Sequence, residues 1–439
     1  MLLLAGPLVA ANVSRTVMSF VDFAMVSRLG SEAQAAVGPA GLVLWTLGAF
    51  GIGIMSLVST FASQSLGRGR RARCAAYTWQ GLYVSAILGL AMVPLAGVAA
   101  WMFRISDHPA AVMEMEIIYT RIALYSVGPM TACVALVGFF AGIHHSGIGL
   151  VAALIANLFN VAANYALIFG HFGCPAMGIA GAAWATVLSS VLQMVILLGW
   201  FLRRRYRQRF ATHRALRPRW KLAAELLGRG VPAGLQFSVD IGAWTVFAIY
   251  FVGRFGEASL AANTICFRIL EVSFMPASGL GQALSAAFGR AFGAGDLATA
   301  RRMTRWCLLL MVAYMGSIGI AMAVFRVELP ALFTDDDEVI RIAASLMILC
   351  ALFQVFDALQ ITYNGALRGA GDTLWPAAAV IALLLVVFIG GSWATATLRP
   401  QWGAVGVWCV ATGYLACVGF MLSSRYCFGP WDRMKIVGD

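Results

Sequence analysis

Seven ionisable side chains fall inside long apolar segments of this 439-residue chain. They are Arg15, Asp22, Arg121, Asp240, Arg268, Glu271 and Asp357. A charged side chain in apolar surroundings loses its hydration, which is costly. Such a residue is therefore usually paired with another polar group or has a function. Each of these residues therefore calls for a chemical hypothesis.

Two pairs of opposite charges have helical spacing. Arg268 and Glu271 are three residues apart, the spacing at which opposite charges meet on one helix, and this favours a structural ion pair. Arg15 and Asp22 are seven residues apart, two turns along one helix face, which allows a local pair. For Arg15, a structural and a functional role are equally open.

Asp240 and Asp357 have no basic residue three or four positions away. Their neighbours at that spacing include Gln236 and Trp244 for the first acid and Gln354 for the second. Desolvation without a neighbouring cation favours the protonated form of a carboxyl, the property that a proton or Na⁺ site requires. The alternative is that each acid is hydrogen-bonded and packs two helices together. For two such acids we favour the coupling-site interpretation over this one.

Three asparagines, Asn157, Asn160 and Asn164, are spaced so that they share one helix face. Asparagine often joins helices by hydrogen bonds inside membranes. The functional alternative is that Asn160 and Asn164 face Asp22 and complete an oxygen-rich pocket. Pro7, about four turns before Asp22, either bends this first segment or begins it.

Composition identifies the surroundings of these residues as a lipid bilayer. Hydrophobic residues make up 61% of the chain and charged residues 11%, and the mean hydropathy is +0.83. Soluble globular proteins have about 45–50% and about 25%. We therefore expect an all-α polytopic membrane protein. The nine cysteines contain no CxxC pair, and we expect neither a disulfide nor a structural metal site.

Twelve apolar segments are long enough to cross a bilayer, which takes about 20 residues. We place them at 2–27, 35–62, 75–102, 112–142, 149–169, 178–202, 229–252, 260–292, 303–326, 339–366, 374–397 and 402–424. Of the 31 basic residues, 22 lie in one set of alternating loops and 6 in the other. Because basic loops stay in the cytoplasm, we expect both termini there. This spread between spans argues against nucleic acid as a partner.

The chain repeats itself at an offset of about 226 residues. The matching stretches are VSRLGSEAQAA at 26–36 with VGRFGEASLAA at 252–262, Gly69 with Gly295, and GIAGAAWA at 178–185 with GAVGVWCV at 403–410. Six spans in each half imply two six-helix lobes related by a pseudo-two-fold axis along the membrane normal, an architecture suited to alternating access. We assign an N-lobe to 1–202, a basic cytoplasmic linker to 203–228, a C-lobe to 229–424 and a cytoplasmic tail to 425–439.

The ordered set of motifs resembles the multidrug and toxic compound extrusion (MATE) family, in its NorM-like bacterial branch. The motifs are VSRLG after an aspartate-containing span, LFNVAANYALIFG at 158–170, GIAGAAWAT at 178–186, GAGD at 293–296 and FQVFDALQITYNGALRGAGDT at 353–373. The resemblance covers essentially the whole chain. It implies an antiporter, coupled to H⁺ or Na⁺, that exports amphipathic and often cationic organic compounds.

For the N-lobe, the resemblance assigns roles to five residues. Asp22 matches the N-lobe acid, Asn160 and Asn164 match its partners in the fifth span, and Thr186 matches a hydroxyl ligand from the sixth. Asn164 is an aspartate in some branches of the family. Together these four residues are the candidate Na⁺ site. Pro7 matches the proline at which the first helix bends in some members.

For the C-lobe, the resemblance points to two acids. Asp357 matches the acid of the tenth span, and Asp240 stands where NorM-like members have a glutamate. Phe353 replaces a tyrosine that contributes oxygen in a Na⁺-coupled member, and this weakens the case for a Na⁺ site in the C-lobe.

The resemblance also implies the setting in which the chain works. We expect a monomer in a bacterial inner membrane, with amphipathic small molecules and lipid as partners, no cofactor beyond the coupling ion and no enzymatic activity. A flippase of lipid-linked precursors from the related superfamily is the alternative, because Arg15, Arg121 and Arg268 would suit a pyrophosphate. A major facilitator transporter also has two six-span halves, but its characteristic acidic and arginine-rich loop between spans two and three is absent from SQSLGRGRRARC. An intramembrane enzyme would have only Asp240 with Asp357 as a catalytic pair.

Overall fold

The structure is a computed structural model that describes residues 2–105 and 108–434. This part of the chain contains the twelve membrane spans expected from the sequence. Eleven are helices long and apolar enough to cross a bilayer by themselves, and the third is a pair of helices with a bend of 42° between them. The expectation of an all-α polytopic membrane protein is confirmed.

We number the spans 1 to 12 in chain order. Spans 1 to 6 are Leu2–Ser27, Ser31–Gly67, Arg71–Met92 with Leu95–Arg104, Ala110–Gly142, Gly147–Phe169 and Ile179–Phe201. Spans 7 to 12 are Trp220–Phe255, Glu257–Gly293, Leu297–Val324, Asp337–Ala370, Leu374–Leu398 and Pro400–Phe428.

The chain divides into two compact units within span 7. The first unit runs from Leu2 to Gly234, and the second begins at Leu235, six residues after the start that the sequence suggested for the C-lobe. A methyl group added to Gly53 in span 2 would lie 2.5 Å from the Cα atom of Gly234. The two helix backbones therefore touch at this point, and the first turns of span 7 pack with the first unit.

The basic linker is packed onto the first unit. Its short helix, Arg204–Phe210, buries Tyr206 and Phe210, while its arginines stay exposed. Further along, the indole N–H of Trp79 in span 3 donates to the Thr212 carbonyl at 2.7 Å. Span 7 begins nine residues before the sequence placed it, so the end of the expected linker is helical.

The internal repeat recurs in the backbone. Glycines at matching places in the two halves have similar positive φ angles, a conformation that L side chains rarely adopt. The pairs are Gly30 (117°) with Gly256 (98°), Gly69 (74°) with Gly295 (79°), and Gly178 (55°) with Gly403 (56°). The duplicated sequence therefore makes the same turns in both units.

Candidate functional site

A polar centre in the first unit joins spans 1, 5 and 6. The buried Asn164 donates through Nδ2 to Asp22 Oδ1 at 2.5 Å and to Asn160 Oδ1 at 2.9 Å. Asn160 Nδ2 donates to Ser189 Oγ at 3.1 Å, and that hydroxyl donates to the Thr186 carbonyl at 3.0 Å. The structure thus brings Asp22, Asn160 and Asn164 together and links them to Thr186 through Ser189.

One acceptor oxygen at this centre has no donor among the described residues. Asn164 Oδ1 is buried and has no hydrogen-bond partner among residues 2–105 and 108–434. The Thr186 hydroxyl donates to the Ala182 carbonyl at 3.1 Å, so its proton is already engaged. A buried acceptor without a donor costs about 1–3 kcal/mol. The centre therefore suits a proton or a cation.

Asn157 lies on the same helix face but outside this centre. Its Nδ2 is 2.7 Å from Ser14 Oγ and 3.3 Å from the Ser14 carbonyl, and it donates to both. It therefore acts as a contact between spans 5 and 1.

Pro7 lies inside the continuous helix of span 1. One turn earlier, the Ser146 hydroxyl donates to the Leu4 carbonyl at 3.0 Å and ties this end of the helix to the turn before span 5. A bend at Pro7 stays a prediction.

The ion pair that the sequence allowed between Arg15 and Asp22 is not formed. In the described part of the chain, Asp22 accepts from Asn164, and Arg15 makes no salt bridge. The electrostatic neighbour of the Arg15 guanidinium is instead the Cys133 thiol of span 4. The two residues share a helix face but lie two turns apart along it, so each meets a different neighbouring span.

The second unit has an acidic centre between spans 7 and 10. Asp357 is buried and Asp240 is half-buried, and the two carboxyls are close enough to interact electrostatically. The indole N–H of Trp244, one turn after Asp240, hydrogen-bonds to that acid. The Tyr414 hydroxyl of span 12 is close enough to Asp240 to interact with it electrostatically. This hydroxyl has no hydrogen-bond partner in the described residues.

Aromatic rings enclose this acidic centre. The Trp244 ring is 4.6 Å from that of Phe388 and 5.8 Å from that of Phe353, measured between centroids. Phe353 is buried one turn before Asp357 and offers no oxygen to a cation. The centre therefore presents two carboxyls, one indole donor and one phenol in apolar surroundings.

Sequence reasoning missed an acid in span 4. Glu116 is fully buried, and His108 Nδ1 lies 3.0 Å from its carboxylate. Glu116 lies four residues inside the apolar segment 112–142, and this position could have identified it as a membrane acid. Ser189 and Tyr414 were also missed, and they had no signal, because hydroxyl residues are common in membrane helices.

The ion pair expected in span 8 is present, with Arg268 Nη1 at 3.5 Å from Glu271 Oε2. It borders a pocket of about 390 Å³ within the second unit. The pocket is lined by Ala248, Ile249, Leu260, Asn263, Thr264, Phe267, Arg268 and Glu271.

Known proteins resemble the chain over nearly its full length. A family model described as MatE matches residues 7–166 and 241–393. A probable multidrug resistance protein NorM of Rhizobium meliloti is 29% identical over 97% of this chain and 92% of its own length. Another from Pseudomonas aeruginosa is 30% identical over 99% of this chain and 89% of its own. The crystal structure of the eukaryotic MATE transporter AtDTX14 superposes with a TM-score of 0.87 at 17% identity, covering 98% of this chain and 96% of that one.

Proposed function

Because the chain belongs to the MatE family of multidrug efflux transporters, and is therefore a multi-pass transporter and not an enzyme, we propose that it exports amphipathic organic cations in exchange for protons. The observation that carries this proposal is the polar centre at Asp22. There, the amide of Asn164 donates to the Asp22 carboxylate, while its own buried Oδ1 has no hydrogen-bond partner in the described residues.

Competition between a proton and a cationic substrate follows from this arrangement. An ionised Asp22 attracts an organic cation, and a protonated Asp22 loses that attraction while its hydroxyl supplies the missing donor to an amide oxygen. Each ligand therefore lowers the affinity for the other, the coupling that exchange requires. Alternating access by the two units then moves the two ligands in opposite directions.

A proton fits the free oxygens better than Na⁺ does. Asn160 Oδ1 already accepts from Asn164, and the Thr186 hydroxyl already donates to its own helix. Of these oxygens, only Asn164 Oδ1 has no hydrogen-bond partner in the described residues, and one proton on Asp22 would satisfy it, whereas a hard cation would have to gather several of the hydrogen-bonded oxygens around itself. We therefore place Na⁺ second as the coupling ion.

The acidic centre of the second unit supports the same function. Asp240 and Asp357 lie in apolar surroundings, and their mutual repulsion is relieved when one of them takes up a proton. A flippase for lipid-linked pyrophosphate would need cationic centres, whereas an acid stands at the polar centre of each unit.

We further propose a monomer in a bacterial inner membrane. Both termini lie in the cytoplasm in this proposal, because basic residues collect in the loops on the side of the termini.

Transport by purified protein in liposomes tests this proposal. With a fluorescent organic cation such as ethidium and an imposed pH gradient, we expect the dye to accumulate in the acidic compartment. Asp22→Asn should abolish this accumulation, and Asn157→Ala, on the same helix face as Asn164, should retain it. Accumulation driven by a Na⁺ gradient at equal pH would instead assign Na⁺ as the coupling ion, and transport by Asp22→Asn at the wild-type rate would contradict the proposal.

A further inference from the structure

A strongly basic surface covers one end of the first unit. Between residues 203 and 221 the linker carries nine basic residues and no acidic one, and all nine are exposed. They are Arg203, Arg204, Arg205, Arg207, Arg209, Arg214, Arg217, Arg219 and Lys221. We propose that this surface binds the headgroups of anionic phospholipids and so anchors the first unit to one leaflet. This binding is independent of the proposed export function.

The linker is held in place by its opposite face. Tyr206 and Phe210 are buried, and the Tyr206 hydroxyl lies 2.8 Å from Nδ1 of His145, in the turn before span 5. The Phe139 ring of span 4 packs edge-to-face on both, with centroids 6.5 Å from Tyr206 and 5.6 Å from Phe210. The exposed arginines alternate with these anchors along the chain. Because the surface is already fixed, it loses little conformational entropy when a ligand binds.

Hydrogen bonds from span 3 locate the linker relative to the bilayer. The apolar segment of span 3 begins at residue 75, and Trp79 and Tyr83 lie about one and two turns inside it. The Trp79 indole donates to the Thr212 carbonyl at 2.7 Å. The Tyr83 hydroxyl donates to the Leu216 carbonyl. The linker therefore lies against the first turns of a membrane span, at the depth of the lipid headgroups.

Exposed apolar side chains accompany the arginines. Leu216 is 45% exposed and Trp220, the first residue of span 7, is 78% exposed. At the other end of the linker, the Arg203 guanidinium lies 4.9 Å from the centroid of the Trp200 ring. Basic residues combined with tryptophan and leucine are typical of surfaces that lie in the headgroup region. A soluble polyanion would neutralise the charge but would leave the Leu216 side chain in water.

The counter-charge for this surface is not supplied by the protein. Among the described residues, the salt bridges are His108–Glu116, Arg268–Glu271 and Asp372–Arg425, and no linker residue takes part. The next acid along the chain, Glu225, accepts from the Tyr77 hydroxyl of span 3 at 2.5 Å. Arginine binds phosphate oxygens with paired hydrogen bonds. Each basic residue near an anionic membrane surface adds roughly fivefold in affinity.

Lipid binding by the purified full chain tests this inference. The anionic lipid is palmitoyl-oleoyl phosphatidylglycerol (POPG), and the control lipid is the phosphatidylcholine with the same acyl chains (POPC), which has no net charge. Each is titrated into the protein in detergent, and the bound lipid is counted by native mass spectrometry. Thermal unfolding in POPC nanodiscs reports whether each variant keeps its fold.

Two triple variants remove the same charge from different places. The linker variant replaces three exposed arginines of the short helix, with the changes Arg204→Gln, Arg205→Gln and Arg207→Gln. The control variant replaces three exposed arginines around the turn between spans 8 and 9, with the changes Arg290→Gln, Arg302→Gln and Arg305→Gln. A third variant replaces the three linker arginines by lysine.

We expect the wild type to bind POPG at least about tenfold more tightly than POPC, and the linker variant to bind POPG at least about tenfold more weakly than the wild type. The control variant should change the POPG affinity by less than about twofold. The lysine variant should keep most of the binding, because it keeps the charge. Raising NaCl from about 0.1 M to about 0.5 M should weaken POPG binding, since salt screens exposed charges. All variants should unfold in POPC at the wild-type temperature, because the replaced side chains are exposed.

Other outcomes overturn the inference in distinguishable ways. Equal loss of POPG binding in the linker and control variants would mean that overall charge attracts the lipid without a site on the linker. Equal affinity of the wild type for POPG and POPC would exclude an anionic-lipid site. Binding of a short RNA duplex that persists in POPG nanodiscs and is lost in the linker variant would assign the surface to nucleic acid. A lower unfolding temperature of the linker variant in POPC, not restored by lysine, would make these arginines part of the fold.

Discussion

Asn157 and Asn164 occupy one face of span 5 and have different partners. Asn157 donates to Ser14, which packs span 5 on span 1, while Asn164 donates to the Asp22 carboxylate and leaves its own oxygen without a donor. Only the second arrangement leaves an acceptor that a proton or a cation could satisfy. At the scale of single residues, the partner decides the role.

Replacing each asparagine by alanine should separate these roles. Asn164→Ala removes the donor to Asp22, so we expect pH-driven dye transport to fall by at least about tenfold. Asn157→Ala removes a contact between spans, which contributes about 0.6 kcal/mol in membrane proteins, and we expect slightly lower thermal stability with normal transport. Transport by proteoliposomes and thermal unfolding in detergent check both. An equal loss of transport in the two variants would argue against a special role of Asn164.

The two acids of the second unit lead to a separate expectation. Asp240→Asn and Asp357→Asn keep the side-chain volume and remove the group that titrates. We expect each change to abolish or strongly reduce efflux, with folded protein still present in the membrane. Dye efflux from cells, with the membrane protein quantified, measures this. A double variant that still transports at the wild-type rate would exclude the pair from coupling.

At the scale of elements, the same four residues, GAGD, form two turns with different roles. The first, at 293–296, joins spans 8 and 9. The exposed Asp296 accepts the Thr299 N–H at 2.9 Å and caps span 9. Hydrogen bonds with the Thr299 side chain and with this N–H lower the pKa of Asp296. The turn therefore uses its acid to begin a helix.

The second GAGD turn, at 369–372, follows span 10. Asp372 is buried, and its Oδ2 is 2.8 Å from Arg425 Nε in span 12. The Arg425 guanidinium also lies over the Trp375 ring at 4.8 Å. This turn uses its acid to fasten three spans at one end of the second unit.

The two turns provide a matched test. Asp372→Asn leaves Arg425 without its buried partner, and we expect a loss of about 3 kcal/mol of stability, the lower range for breaking a buried pair. Asp296→Asn keeps a good N-cap, and we expect a change of a few tenths of a kcal/mol. Thermal unfolding of the purified variants compares them. Similar melting temperatures would show that the Asp372–Arg425 pair contributes little.

At the scale of the whole molecule, the basic loops predict which side of the membrane each turn faces. Arg205 and Arg302 lie in or beside loops of the basic set, and Asp335 lies in an acidic turn of the other set. All three are exposed. Their side chains therefore report topology without disturbing the packing.

Cysteine labelling measures this topology. In a variant without the nine native cysteines, Arg205→Cys and Arg302→Cys should resist an impermeant thiol reagent in intact cells and react after lysis. Asp335→Cys should react in both. Labelling of Arg205→Cys from outside the cell would reverse the proposed orientation.

The sequence by itself determined the membrane, the number of spans and the family. In lipid, each span must satisfy its own backbone hydrogen bonds, so a span is a local property that can be identified from a run of apolar residues. The acids Asp22, Asp240 and Asp357 stood out for the same reason, because a charge in such a run is rare. The repeat was also visible, since its turns need glycine at fixed positions such as Gly30 and Gly256.

The tertiary structure alone decided which side chains meet. It engaged Asp22 with Asn164 and left Arg15 without the expected pair, it linked Asn160 to Ser189, and it placed the division of the units inside span 7. These results depend on the rotation of each helix about its axis and on close backbone contacts. Hydropathy does not encode that rotation, because packing against neighbouring helices sets it.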